Sequence, residues 1–178
     1  YNSYLQQLST GFGQGISVTA FQMVQAFTAI ANQGEMKKLR IVDHEFRPAS
    51  NTTVNFSENS LGQVIKPETA KKTLEYLRQA TTIKDGTSNG FDIEGEEVAA
   101  KTGTAEFVNP ETGTYYSYGS NYIYSVVGFA PASNPKYILY ITLKQPQNNP
   151  YGAGGSALIK EIFNPMMKRA LDYSRLTQ

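Results

Sequence analysis

Apolar residues recur along the chain at two spacings, and the change from one to the other marks the elements. From Ala20 onward, Ala20, Met23, Val24, Phe27, Ile30 and Ala31 fall three or four residues apart, the period of a helix with one buried face. Thr19 and Gln22 form a capping box at its start, and Gly34 supplies its stop. Just upstream, Gly11-Phe12-Gly13-Gln14-Gly15 places three glycines in five residues, which predicts unusual backbone angles or a close approach by other groups. A second helix is predicted from Pro67, a residue suited to the first helical position. Its buried face is Ala70, Leu74, Leu77 and Thr81, with Glu68–Lys72 and Lys71–Glu75 as charge pairs on the wet side. A third, C-terminal helix carries the stripe Leu158, Ile159, Ile162, Phe163, Met166, Met167, Ala170 and Leu171. Pro165 is expected to kink or interrupt it, because proline lacks the N–H and clashes with the preceding turn.

Between the helices the period drops to two. Leu39 to Phe46 and Thr52 to Phe56 read as short strands joined by the turn cluster Arg47-Pro48-Ala49-Ser50-Asn51. Glu97 to Phe107, Tyr115 to Phe129 and Lys136 to Lys144 read as an antiparallel meander, turning at Asn109–Gly113 and Pro131–Pro135. Asp85–Gly90 and Gln145–Gly155 read as loops. In the last strand Tyr137, Leu139, Ile141 and Leu143 face one way, while Ile138 and Tyr140 face the other. Both faces are apolar, so both are expected to be covered. The fold class expected is α/β in the broad sense, more strictly α+β: a mostly antiparallel sheet with helices on both faces.

Composition narrows the function. The chain has 178 residues, enough for one domain or a large piece of one. Sixteen Lys and Arg against fifteen Asp and Glu leave a formal charge of +1, too balanced for a nucleic-acid binder working by counterion release. With no cysteine and a single histidine there is no thiol chemistry, no disulfide framework and no cysteine- or histidine-rich metal cluster, and neither a metal nor a cofactor is expected. No apolar run approaches the roughly 18 residues of a membrane span. The chain opens at Tyr1-Asn2-Ser3-Tyr4 without a basic flank and apolar stretch, and is expected to be part of a longer protein.

Lys101-Thr102-Gly103-Thr104 sits inside a predicted strand, an odd place for a lysine, two threonines and a glycine. The bland reading is a solvent-facing edge bulged at the glycine. The functional reading is a docking rail. A glycine on an edge strand lets another extended backbone lie alongside, threonine hydroxyls hold a carboxylate, and the lysine raises the local positive potential.

Lys-Thr-Gly is one of the signatures of penicillin-binding proteins and class A β-lactamases. Lys101-Thr102-Gly103-Thr104-Ala105-Glu106 resembles the longer form found in class B penicillin-binding proteins. Gly13-Gln14-Gly15 with Thr19 and Gln22, Ala29-Ile30-Ala31-Asn32-Gln33-Gly34, Tyr122-Ile123-Tyr124-Ser125, Ala130-Pro131-Ala132 and Asn134-Pro135 are similar to that family in the same order. The division-associated enzymes of Gram-positive bacteria are the nearest in kind.

The resemblance implies a peptidoglycan D,D-transpeptidase acting through an acyl-serine on the outer face of the cytoplasmic membrane, inhibited by β-lactams. It implies that Lys101 helps organise proton transfer around the nucleophile, and that Thr102 and Thr104 hydroxyls bind the terminal carboxylate of a D-Ala-D-Ala stem peptide or a β-lactam. The Thr104 N–H would be one of two oxyanion-hole donors, and Gly103 would keep the strand clear where the acyl group lies. Glu106 is a point of variation in the family. The partners implied are the stem peptide, β-lactams, divisome proteins and the N-terminal part of the same domain.

That last partner is needed because the family's nucleophilic serine, with a lysine three residues on, and its Ser-x-Asn element both precede the Lys-Thr-Gly strand. Ser133-Asn134-Pro135-Lys136 fits the first spacing but falls in a predicted turn after Lys101, and Ser57-Glu58-Asn59 fits the second but has no nucleophile upstream. The expectation is that residues 1–178 are the C-terminal part of the domain and inactive alone. A non-catalytic peptide-binding or assembly module is the alternative from another class, and a β-lactamase or carboxypeptidase relative the alternative within it. His44 is expected to be a surface or half-buried histidine. Tyr115, Tyr116, Tyr118, Tyr122 and Tyr124 are expected to pack the hairpin, with some rimming the site.

Overall fold

The computed structural model describes residues 3–11, 13–106, 108–116, 122–147 and 155–177. In chain order the helices are α1 (Tyr4–Gly11), α2 (Ala20–Ala31), α3 (Pro67–Thr82) and α4 (Gly155–Leu176). The strands are β1 (Glu35–Lys38), β2 (His44–Arg47), β3 (Thr52–Asn55), β4 (Asn59–Gln63), β5 (Ala99–Glu106), β6 (Tyr122–Ala130) and β7 (Tyr137–Lys144).

The centre is a three-stranded antiparallel sheet in the order β5-β6-β7, with unbroken register from Ala99 opposite Phe129 to Glu106 opposite Tyr122. Each face holds its own core. On one side Phe163, Ile159, Met167 and Leu171 of α4 pack on Val98, Ala100, Tyr124 and Val126, joined by Tyr137, Leu139, Ile141 and Leu143 of β7. On the other, Leu74 of α3 packs with Ala99, Val127 and Phe129, joined by Phe27 and Ile30 of α2 and by Ile138 and Tyr140. The two-faced reading of β7 and the mixed helix–antiparallel class are therefore both realised.

Packing of the Phe163 and Tyr124 rings explains two glycines here. A side chain on Gly128 would run into the Phe163 ring, and one on Gly155 into the Tyr124 ring. Phe163 also meets Phe91 edge-on, ring centroids 5.4 Å apart. α4 passes through Pro165 without a break. The carbonyl that this proline leaves without its helical partner belongs to Glu161, and both residues are exposed, where such a group can turn to solvent. The expected interruption does not occur.

At α2 the capping box forms as the sequence predicts, Thr19 N donating to Gln22 Oε1 at 2.9 Å and Gln22 N to Thr19 Oγ1 at 3.2 Å. Gly34, at φ +91°, closes the helix by donating its N–H to Ala29 O at 2.7 Å. Gly13 and Gly15 adopt left-handed angles, φ +87° and +72°. Of α3's predicted face, Ala70, Leu74 and Thr81 are buried and Leu77 packs partly.

Residues 35–63 depart from expectation. β2 and β3 form the hairpin, but Leu39 to Asp43 are not strand, and the polar β1 and β4 pair with each other instead. The short helix α1 was not foreseen; Tyr4 and Leu5 on it are each 74% exposed. The Gln145–Gly155 loop lies largely outside the described residues.

Candidate functional site

β5 is an edge strand of the sheet, and Lys101 to Glu106 lie along it without a bulge at Gly103. Which backbone groups face outward follows from the ladder. Tyr122 O accepts from Gln145 N at 2.9 Å, so even-numbered residues of β6 bond to β7 and odd-numbered ones to β5. Ser125 and Val127 therefore exchange hydrogen bonds with Gly103 and Lys101. The backbone groups of Val98, Ala100, Thr102 and Thr104 point to the open edge. Three contacts agree with this alternation. Val98 O accepts from Thr81 Oγ1 at 2.9 Å and Arg78 Nη1 at 3.2 Å, both from α3, and Thr102 O accepts from Lys101 Nζ at 2.6 Å.

The edge thus has two halves. Its start is sealed by α3, where Arg78 also pairs with Asp92 Oδ1 at 2.5 Å. Beyond it, Thr104 presents its N–H away from the sheet. Side chains alternate as well. Ala100 belongs to the α4 core, so Thr102, Thr104 and Glu106 project on the α4 side, while Lys101, Gly103 and Ala105 project on the side that α2 and α3 cover only in part. Lys101, Thr104 and Glu106 are exposed.

Thr102 is half-buried, and its hydroxyl donates to Thr87 O at 3.2 Å, in the loop after α3. That loop is held to α4 by Asn164 Nδ2, which donates to Gly90 O at 2.9 Å. Gly103 lies over Ser125: a methyl placed on it would come within 2.5 Å of Ser125 Oγ. Thr87 and Ser125 are the site residues that sequence reasoning did not single out. Thr87 gives no signal, because it meets Thr102 from fifteen positions away. Ser125 does give one, a hydroxyl in the otherwise apolar run Ile123-Tyr124-Ser125-Val126-Val127.

Upstream of the motif, Glu97 accepts from Ser133 N at 3.2 Å, and hydrogen bonds from Ser133 hold its carboxyl below the ordinary glutamate value. Ser133 to Lys136 therefore occupy a turn tied to β5, and no helix starts there. Ser57 and Glu58 lie in an exposed segment and Asn59 opens β4. His44 is exposed on β2, beside Asp43. Tyr122 and Tyr124 pack the core, rings 5.9 Å apart, and burial pushes the Tyr124 phenol up. Tyr115 is exposed, bridging to Val108, while Tyr118 falls outside the described residues.

A cavity of about 860 Å³ lies at the start of β5, lined by Leu74, Arg78, Glu97 and Ala132 among others, and the Lys101–Glu106 stretch does not line it. Among the described residues no acidic, histidine or cysteine cluster is arranged for a metal, and no helix is long and apolar enough to cross a membrane. What the motif strand offers is an open edge: outward backbone groups, two hydroxyls on one side and an ammonium on the other. That combination is chemically suited to an extended peptide with an anionic end.

The chain is 34% identical over 166 residues to penicillin-binding protein PbpB of Mycolicibacterium smegmatis, covering 88% of this chain and 25% of that protein. It is 28% identical over 165 residues to the peptidoglycan D,D-transpeptidase FtsI of Escherichia coli, covering 93% and 25% respectively. The crystal structure of penicillin-binding protein 2X from Streptococcus thermophilus superimposes with a TM-score of 0.86 at 26% identity, over 97% of this chain and 26% of that one. The chain thus spans about a quarter of the length of these two relatives. The family model described as the penicillin binding protein transpeptidase domain matches residues 1–168, and with it the chain belongs to that family.

Proposed function

We propose that this chain is the C-terminal portion of the transpeptidase domain of a class B penicillin-binding protein that cross-links peptidoglycan on the outer face of the cytoplasmic membrane. The observation that carries the reading is the outward-facing backbone of Thr102 and Thr104 on an edge strand that also bears Lys101.

A serine on a segment outside this chain attacks the carbonyl between the two terminal residues of a D-Ala-D-Ala stem peptide. The terminal D-alanine leaves, and the amine of a second stem peptide then displaces the serine from the acyl-enzyme. The Thr104 N–H donates to the developing oxyanion, a role whose loss costs about 3 kcal/mol in comparable hydrolases. The Thr104 hydroxyl holds the substrate carboxylate. Thr102 joins it by exchanging its bond to Thr87 O for one to the carboxylate. Lys101, on the partly covered face, organises the proton transfers around the incoming serine. Gly103 keeps the strand free of a side chain where the acyl group lies, and Glu106 flanks the carboxylate site. β-Lactams enter the same place and acylate the same serine.

The test is labelling with a fluorescent penicillin. The isolated chain is expected to form no covalent adduct, and the full-length protein to form a stable one that Lys101→Ala slows strongly without unfolding the protein. An adduct on the isolated chain would place the nucleophile within residues 1–178. Absence of labelling in the full-length protein would support a non-catalytic module, and release of hydrolysed β-lactam faster than adduct builds up would support a hydrolase.

A further inference from the structure

Gly103 does not carry its glycine for backbone reasons, since its φ lies outside the left-handed region. The constraint is Ser125. A methyl on Gly103 would sit 2.5 Å from Ser125 Oγ but 3.9 Å from Ser125 Cβ, so the hydroxyl oxygen alone occupies the space. The Tyr140 phenol on β7 lies next to that hydroxyl, and the interaction partly offsets the upward pull of burial on Tyr140. The Tyr140 ring in turn rests on Phe27 of α2, centroids 5.7 Å apart. A line of contacts therefore runs from α2 through β7 and β6 and ends on the Gly103 backbone, one residue before the Thr104 N–H.

Resting on the transpeptidase reading of β5, we propose that Ser125 is a positioning residue for the reaction. Its hydroxyl, aimed by Tyr140, bears on Gly103 and fixes where the Thr104 N–H and hydroxyl point. The reason is geometric. An oxyanion donor works within about 2.7–3.1 Å of the developing charge, and an edge strand is held by a ladder on one side only. On the α4 side, Thr87 restrains Thr102; on the opposite side, Ser125 restrains Gly103. Removing the Ser125 oxygen leaves the β5–β6 ladder intact but gives the strand room to shift.

The experiment uses the full-length protein and stopped-flow acylation by a fluorescent penicillin, which separates the acylation rate constant from the affinity of the initial complex. Ser125→Ala is expected to lower the rate constant about tenfold, with a melting midpoint near that of the wild type. Tyr140→Phe is expected to do the same, and the double variant to lose little more, because the two act through one contact. Gly103→Ala is expected to lose both stability and acylation. Adding Ser125→Ala to it opens the space and restores the melting midpoint but not the rate. A wild-type rate in Ser125→Ala, or full recovery of the rate in the Gly103→Ala/Ser125→Ala variant, overturns the proposal and reduces Ser125 to a space-filler, while leaving the transpeptidase reading in place. Failure of the wild-type protein to label overturns that reading, and this inference with it.

Discussion

The Thr102 hydroxyl donates its one proton to the main-chain carbonyl of Thr87, 3.2 Å away, so the motif strand is tied to the loop that follows α3 before any substrate arrives. Thr102→Val keeps the shape and removes the donor. It is expected to lower stability by about 1 kcal/mol, read by urea unfolding of the chain. In the full-length protein it should weaken the initial complex with penicillin more than it slows acylation, since Thr102 is assigned to the carboxylate and Thr104 to the oxyanion.

The alternation along β5 separates two proline substitutions. Ala105 bonds to β6 through its backbone, whereas Thr104 faces outward. Ala105→Pro is expected to destabilise the sheet clearly more than Thr104→Pro, by upwards of about 1 kcal/mol for the lost ladder bond. Thr104→Pro should still abolish acylation in the full-length protein. Circular dichroism melts of the two variants check the first point, and penicillin labelling the second.

Phe163 is fully buried beneath α4. Phe163→Ala is expected to cost about 3–5 kcal/mol. Gly128→Ala, whose methyl would enter the same ring, is expected to cost about 1–3 kcal/mol. Combining Gly128→Ala with Phe163→Leu should recover part of that loss, because the smaller side chain vacates the position. Chemical denaturation midpoints decide it.

Hydrogen bonds from Ser133 hold the Glu97 carboxyl below its ordinary value. The unfolded chain therefore binds more protons than the folded one between those two values, and stability rises with pH across that interval. The contribution is fully present above the ordinary glutamate range and is lost as pH falls through the folded value. Glu97→Gln should flatten the acid limb of the stability curve, measured from about pH 3 to pH 6.

The meander was legible because its strands are long and β7 is apolar on both faces, a pattern that only a sheet covered twice can use. The α2 boundaries were legible because Thr19 and Gln22 write the cap into four residues. β1 and β4 were not: Glu-Met-Lys-Lys and Asn-Ser-Leu-Gly-Gln carry few strand-forming residues, and they meet only across a distant register, Glu35 opposite Gln63. Leu39, Ile41 and Val42 misled in the other direction, apolar enough to suggest a strand but left without a ladder; Ile41 is 88% exposed. Pro165 was readable as a helix disturbance, but not that the helix continues through it on an exposed face. Of the site, Lys101 to Glu106 were legible as a motif. Their division into an α4-facing and an α2-facing set, and the supports from Thr87 and Ser125, depend on contacts between distant segments that no local pattern encodes.

An open edge strand invites unwanted partners, since any exposed strand with matching spacing can add to it and begin an aggregate. The Lys101 ammonium resting on Thr102 O blocks that carbonyl to a stray strand, which brings only neutral backbone groups to displace it. Under the transpeptidase proposal, the carboxylate of a stem peptide would draw the ammonium away. The same lysine would then guard the edge against neutral backbone while answering an anionic chain end.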